Sequence, residues 1–312
     1  MPSADVLRAL TIVPVPGPGA EDVLVGHDGT AYTGTADGSI FAVSSGGDVI
    51  RRIASTGGRP LGLEWLPEAR LLVCDARRGL LVVGLFDGSV TVLADTVDGI
   101  PMGFCNNATV LNTGEIWFSD SSIHYGVDDW KSDLIDDTCT GRLLRLRPGD
   151  REPEVMLDGL SFANGVARTA DDSAVIVAET GHRALRRIHV TGPQVGTSDV
   201  FAEDLPAHPD NIALGSDGLI WVTYASPKDP ALTFLQTRGK PWMRSLVRSA
   251  PEPLKPKPKR TARVAAFAAD GTLVHDISAD ARDWHLATGV REHHGRVWLG
   301  SLVEPALAYF DL

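Results

Sequence analysis

Three observations predict an all-β fold, a six-bladed β-propeller with a short helical insertion in blade five: a strand–turn–strand pattern occurs six times, polar residues recur at one register of that pattern, and no linker-like stretch divides residues 1–312 into more than a single domain. Four of the turns are plain in the sequence, with tips at Gly29 in HDGTAY, Gly114 in NTGEIW, Asp172 in ADDSAV and Gly218 in SDGLIW. Tyr32, Trp117, Val175 and Trp221 follow these tips at one fixed offset, so the alignment does not rest on the turns alone. LGLEWLPEARLLVCDARRGLLVV, turning near Ala69, and ATGVREHHGRVWLGSLVEPALAYF, with its tip at Gly295, complete the set.

Within a unit the first strand is EDVLVG or NIALGS, the second TAYTGT or LIWVTY, and the third SIFAV, RLLRLR, ALRRIHV or RVAAFA. Their alternation of apolar with small or polar residues is the period of half-buried strands. The last unit stops at 306–312 without room for a fourth strand, while an apolar run at 7–13 belongs to no unit. The N-terminal strand is therefore expected to complete the final blade and close the ring. In the fifth unit, the insertion at about 226–261 places Leu232, Leu235, Trp242, Met243, Leu246 and Val247 at spacings that suit two short amphipathic helices broken at Gly239, Lys240 and Pro241. It reads as a lid whose apolar side covers a pocket, or alternatively as a packing element or dimer contact. A lid bearing Trp and Leu favours a small hydrophobic or aromatic substrate over a free sugar acid.

A hydrophobic fraction of 43% and a mean hydropathy near zero allow a sizeable core. The formal charge of −11 argues against nucleic acid, since phosphates repel such a surface. The basic KPKPKR at 255–260 lacks aromatic partners for stacking and reads as a stiff solvated arm. MPSADVLRAL shows no basic region followed by an apolar core, and no apolar run reaches bilayer length, so the expectation is a cytoplasmic protein without a membrane span. Cys74, Cys105 and Cys139, sparse and odd in number, fit a reducing compartment.

Counting eight residues back from the four tips gives Glu21, Asn106, Asn164 and Asp210, and from the other two Leu61 and Ala287. First strands line the channel of a propeller, so equivalent positions form a ring at one end. Taken singly, each polar residue could cap a strand or bind channel water. Together, two carboxylates and two amide carbonyls form a hard oxygen set suited to Ca²⁺, with Mg²⁺ or Mn²⁺ as alternatives; no His or Cys in the ring recommends zinc.

The segments GRPLGL (58–63), WFSDSS (117–122), TGRLLRLRPGD (140–150), SFANGVA (161–167), VAETGHRALRRIHVTGP (177–193), LPAHPDNIALGSDGLIWV (205–222) and REHHGRVWLGSL (291–302) resemble those of strictosidine synthase-like proteins, which belong with the gluconolactonase, regucalcin, paraoxonase and diisopropylfluorophosphatase propellers. The resemblance implies Ca²⁺ held by Glu21, Asn106, Asn164 and Asp210, with Asn107 and Asn211 supporting it. It also implies a hydrolase acting on a lactone, an ester or an organophosphate, with Asp210 as a further candidate base or nucleophile. In the alkaloid-condensing members a last-blade glutamate is catalytic; Thr288 stands there in this chain, which speaks against that reaction. For the general base, loops on the ring's face offer His124, and connections into the first strands offer His285. The alternative is a non-catalytic propeller in which a metal merely staples the channel and the open face binds a small ligand or partner.

Overall fold

The computed structural model describes residues 7–251 and 258–312, so the start of the chain and Lys255, Pro256 and Lys257 of the basic arm lie outside the described residues. Six four-stranded antiparallel sheets succeed one another along the chain. Their innermost strands are Leu24–Val25, Pro60–Leu66, Cys105–Val110, Ala163–Arg168, Ala207–Leu214 and Ala287–His293. Ring closure is as the sequence predicts: Thr11–Pro14 pairs antiparallel with Ala306–Asp311, Thr11 opposite Tyr309 and Pro14 opposite Ala306. All six turn tips read from the sequence, Gly29, Ala69, Gly114, Asp172, Gly218 and Gly295, have φ between 53° and 85°. This left-handed backbone favours Gly and tolerates Asp, and Ala69 adopts it against its preference.

The sequence reading assigned residues to three strands per unit. The fourth, outer strands, such as Ile50–Ser55 and Ser198–Ala202, are largely exposed and polar, so they carry little of the alternation that marks the inner ones. Two helices of the insertion form as expected, α2 at Pro230–Arg238 and α3 at Pro241–Arg248, each with Pro in its first turn, and Asp229 caps α2 by accepting from the N–H groups of Ala231 and Leu232. An additional helix, Trp130–Asp136, occupies the loop after the second strand of blade three and is called α1 for that reason of chain order. No described helix is long and apolar enough to cross a membrane.

Packing around the axis rests on backbone meeting backbone. A Cβ on Gly62 would lie 2.6 Å from Asn107 Cα, one on Gly165 would lie 2.2 Å from Ile212 N, and one on Gly289 would lie 2.6 Å from Asp22 Cα. Blades two, four and six thus each present a glycine to the next blade. The residues facing these glycines also tie the seams: Asp22 Oδ2 accepts from Leu63 N at 2.9 Å and Asn107 Oδ1 from Val166 N at 2.9 Å. We expect Gly165→Ala to lower stability by about 1–3 kcal/mol or more through overpacking of an inner seam. A denaturant midpoint for this variant equal to wild type would show that the seam relaxes freely.

Candidate functional site

Glu21, Asn106, Asn164 and Asp210 converge on one cavity of about 130 Å³ at the mouth of the channel. Glu21, Asn106 and Asn164 are buried, and Asp210 is partly so. The neighbouring hydroxyls fix the orientation of both amides. Ser121 Oγ donates to Ala163 O (2.7 Å), so toward Asn106 it can only accept, and Asn106 Nδ2 donates to it at 2.8 Å. Thr180 Oγ1 donates to Pro209 O (2.7 Å) and accepts from Asn164 Nδ2 at 3.2 Å. Each amide therefore presents its carbonyl oxygen to the cavity. Among the described residues, Asn106 Oδ1, Asn164 Oδ1 and Glu21 Oε2 are buried without a protein partner. Buried oxygens without donors are costly, and a hard divalent cation would satisfy this set.

The electrostatics fit the same group. Burial foremost, then the charges of Asp22 and Asp210, push the Glu21 carboxyl well above its ordinary range. Burial raises Asp210 to about 7, opposed by a hydrogen bond from Asn164 and reinforced by Asp22. Asp22 rises to about 6, again chiefly through burial, with Arg291 opposing. Arg59, buried beside this group with its guanidinium donating to Gly19 O (2.8 Å), is the nearest compensating charge to Glu21. Asn211 donates from Nδ2 to Glu21 Oε1 (3.0 Å), holding that carboxylate in place, while Asn107 faces the seam with blade four.

Blade six departs from the counting rule. Thr288, not Ala287, lines the cavity, and Ala287 is packed into the core beside Trp284. The cause is the turn: His293 pairs with Arg296, leaving only His294 and Gly295 between them, both left-handed, whereas Val110 and Ile116 enclose residues 111–115. Leu111 N donates to Glu115 O around a loop of residues 112–114, one residue longer than that of blade six, so counting back from the tighter turn lands one residue short, while the bulge between Ala287 and Val290 has counterparts in blades two to five. Thr288 Oγ1 donates to Glu21 O (2.8 Å), so it locks blade six to blade one.

The same slip moves a histidine out of the site. Two residues before the ring stand Phe104, Phe162, His208 and Leu286, and all four line the cavity. His285 faces Glu304 and Arg260 instead, and His124 is exposed on its loop; neither lines the cavity. His208, rather than His124 or His285, is the histidine that lines the cavity. Its Nδ1 lies 2.9 Å from Thr180 O, and because a carbonyl only accepts, Nδ1 carries the proton and Nε2 is left with a free lone pair. Nε2 is buried and has no protein partner, and burial pulls the imidazole's pKa down, which keeps it neutral.

Above the polar floor the walls are apolar. Phe104 and Phe162 meet edge to face at 5.4 Å, and Leu61, Leu134, Trp130 and Leu232 extend the surface. Asp120 Oδ1 accepts from Phe104 N at 2.7 Å and its Oδ2 pairs with Arg142, which fixes this approach to the ring. The insertion covers the cavity only in part: Leu232 of α2 lines it and Leu235 is buried, but Trp242 and Leu246 of α3 are 64% and 66% exposed. Arg244 and Arg248 explain why α3 turns away, since they bind Asp136 O and the Asp136 carboxylate at the C-terminal end of α1. The acidic run at 128–137 is thus largely helix α1 and its flanks: Asp133 is buried and accepts from Thr138 Oγ1 (2.6 Å), and Asp128 pairs with Arg77 (2.9 Å). Cys105 is a buried thiol raised well above its ordinary pKa, first by burial and then by neighbouring Cys74.

A family model described as Strictosidine synthase matches residues 106–193, and one described as Strictosidine synthase-like, N-terminal, matches residues 3–43. The adipocyte plasma membrane-associated protein of Danio rerio is 33% identical over 94% of this chain and 77% of its own length. Protein STRICTOSIDINE SYNTHASE-LIKE 13 of Arabidopsis thaliana is 37% identical over 64% of this chain and 49% of its own length. Among solved structures, a gluconolactonase from Xanthomonas campestris superposes with a TM-score of 0.70 at 17% identity, covering 97% of this chain and 89% of that one. Regucalcin from Agrobacterium tumefaciens, described as a calcium-binding protein, gives 0.67 at 12% identity, covering 99% of this chain and 96% of that one. The two structures share the fold.

A carboxyl raised above its unfolded pKa stabilises the folded state while protonated. That contribution is complete below about pH 4, the ordinary carboxylate value, and is lost as pH rises through the folded values of about 6 for Asp22 and about 7 for Asp210. A cation competes with those protons. Added Ca²⁺ is therefore expected to raise the melting temperature more at pH 8 than at pH 5, the stabilisation at pH 8 being about 2.7 kcal/mol at a hundredfold excess over the Kd at that pH. Asn164→Ala should shrink the shift at pH 8. Equal shifts at both pH values would count against the ring.

Proposed function

This chain belongs to the strictosidine synthase-like family, and we propose that within it the protein is a hydrolase dependent on a hard divalent cation, Ca²⁺ first, that opens a lactone or ester carrying an apolar or aromatic group. The observation that carries this reading is the set of buried, donorless oxygens of Glu21, Asn106 and Asn164 facing the same cavity as Asp210 and the lone pair of His208. A gluconolactonase and a calcium-binding regucalcin are built on the same ring architecture, which agrees with it.

Glu21, Asn106, Asn164 and Asp210 would hold the cation. When bound, it polarises the substrate carbonyl and offsets the charge that develops on its oxygen as the ester opens. His208 Nε2 accepts a proton from the attacking water, and the Thr180 carbonyl at its Nδ1 keeps the correct tautomer and orients the ring. Phe104, Phe162 and Leu286 bind the apolar part of the substrate and exclude bulk water from the floor. Thr288, committed to Glu21 O, offers neither a carboxylate nor a free base, so the site lacks the glutamate of an alkaloid-condensing relative.

A panel of aryl esters and lactones, assayed with chelator and after Ca²⁺ is restored, tests the proposal. Turnover should vanish with chelation and return with the ion, and bulky apolar substrates should exceed free sugar lactones in kcat/KM. His208→Gln should lower kcat by about 10²–10⁴-fold while the Ca²⁺-induced rise in melting temperature persists. His124→Ala and His285→Ala should leave kcat at the wild-type level. Ca²⁺ binding without turnover of any substrate would leave the ring as a structural staple and overturn the enzymatic reading.

A further inference from the structure

A second cluster lies away from the ring, where the carboxyl end of α1 meets blade four. Asp137, the left-handed residue that caps α1, Cys139 two residues on, and His182 in the loop after the strand Ala174–Glu179 bring three different ligand atoms together. Cys139 Sγ lies 4.0 Å from His182 Nε2 and 3.7 Å from Asp137 Oδ1, and His182 Nε2 lies 3.4 Å from the Asp137 carboxylate. Tetrahedral zinc, with Zn–S about 2.3 Å and Zn–N or Zn–O about 2.0–2.1 Å, requires separations of about 3.6 Å for S···N and S···O and about 3.3 Å for N···O. The observed triangle needs only a few tenths of an ångström of contraction.

The surroundings resemble the outer shell of a metal site. His182 Nδ1 is 2.9 Å from Glu179 Oε1, an arrangement that turns Nε2 toward the other two ligands. Glu179 is itself buried and held by Ser161 N (3.0 Å) and Arg186 Nε (3.1 Å), and Ser161 Oγ donates to Asp137 Oδ1 at 2.6 Å. From this geometry we infer that Asp137, Cys139 and His182 form a zinc site with one open position, which fixes the cavity-lining helix α1 to blade four. A Cys–His nucleophile is the other use such atoms could serve. It is disfavoured because burial and the carboxylates of Asp137 and Glu179 raise the thiol to about 11, the opposite of an activated thiolate. A thiophilic cation reverses that, releasing the protons of thiol and imidazole as it binds.

The test is titration of the metal-stripped full-length protein with Co²⁺ in the presence of excess Ca²⁺. One equivalent of Co²⁺ should give intense tetrahedral d–d bands and a thiolate-to-cobalt charge-transfer band, and one equivalent of Zn²⁺ should abolish both. Cys139→Ser should lose the charge-transfer band, His182→Ala should lose stoichiometric binding, and Asn164→Ala in the ring should retain both signals. Circular dichroism establishes that each variant is folded, and should Cys139→Ser misfold, alkylation of Cys139 in wild type, blocked by bound Zn²⁺, replaces it. Absence of the charge-transfer band at stoichiometric Co²⁺, or its persistence in folded Cys139→Ser, overturns the proposal.

Discussion

Donor and acceptor commitments around the channel mouth govern this molecule. Each hydroxyl near the ring has one proton, and Ser121 and Thr180 give theirs to backbone carbonyls of the next blade, Ala163 O and Pro209 O. What remains to them is acceptance, so the amide nitrogens of Asn106 and Asn164 turn outward and the oxygens turn in. Thr223 and Ser119 behave likewise, donating across the seams to Thr288 O and Asn164 O, both at 2.6 Å. Bonds that join blade to blade are thus the bonds that aim the cavity oxygens. Site and seam cannot vary independently, and a substitution that removes one of these hydroxyls acts on stability and on the site together.

How far the sequence could be read follows from this. Equivalent positions in equivalent hairpins share an offset from the turn, so counting from left-handed tips brought Glu21, Asn106, Asn164 and Asp210 to one cavity. It slipped where hairpin geometry changed. The two-residue turn at His294 and Gly295 displaces the last blade by one, placing Thr288 where Ala287 was expected and Leu286 where His285 was expected. Counting two further back in the remaining blades points to Phe104, Phe162 and His208, so the cavity histidine was accessible to the same arithmetic. Helix α1 was not. Its seven residues and the acidic flank before them hide a helix because the partners that neutralise Asp128 and Asp136, namely Arg77 and Arg248, are remote in sequence.

The cavity is layered, and the layers place different demands on the backbone. The floor is polar and held by extended strands. In the layer above, Phe162 and Leu286 have φ of 60° and 54°, a left-handed conformation that disfavours bulky side chains by about 1–3 kcal/mol each. Packing offsets that strain: both side chains are about 5% exposed, and Phe162 meets Phe104 face to edge. The left-handed turn directs an apolar side chain over the ring, where an ordinary strand would direct it into the blade. A ligand that reached the floor would pass this hydrocarbon and lose its water there.

The position of α1 connects these arguments. Trp130, Leu134 and Ile135 give one side of the helix to the cavity, while its carboxyl end is held by Arg244 and Arg248 from the insertion and lies beside the Asp137, Cys139 and His182 cluster. A short helix has little stability of its own, so its placement depends on these tertiary anchors. The anchors are ionic and partly exposed, whereas the wall they support is apolar. None of these anchors touches Glu21, Asn106, Asn164 or Asp210, whose hydrogen bonds run through the inner strands and the hydroxyls beside them.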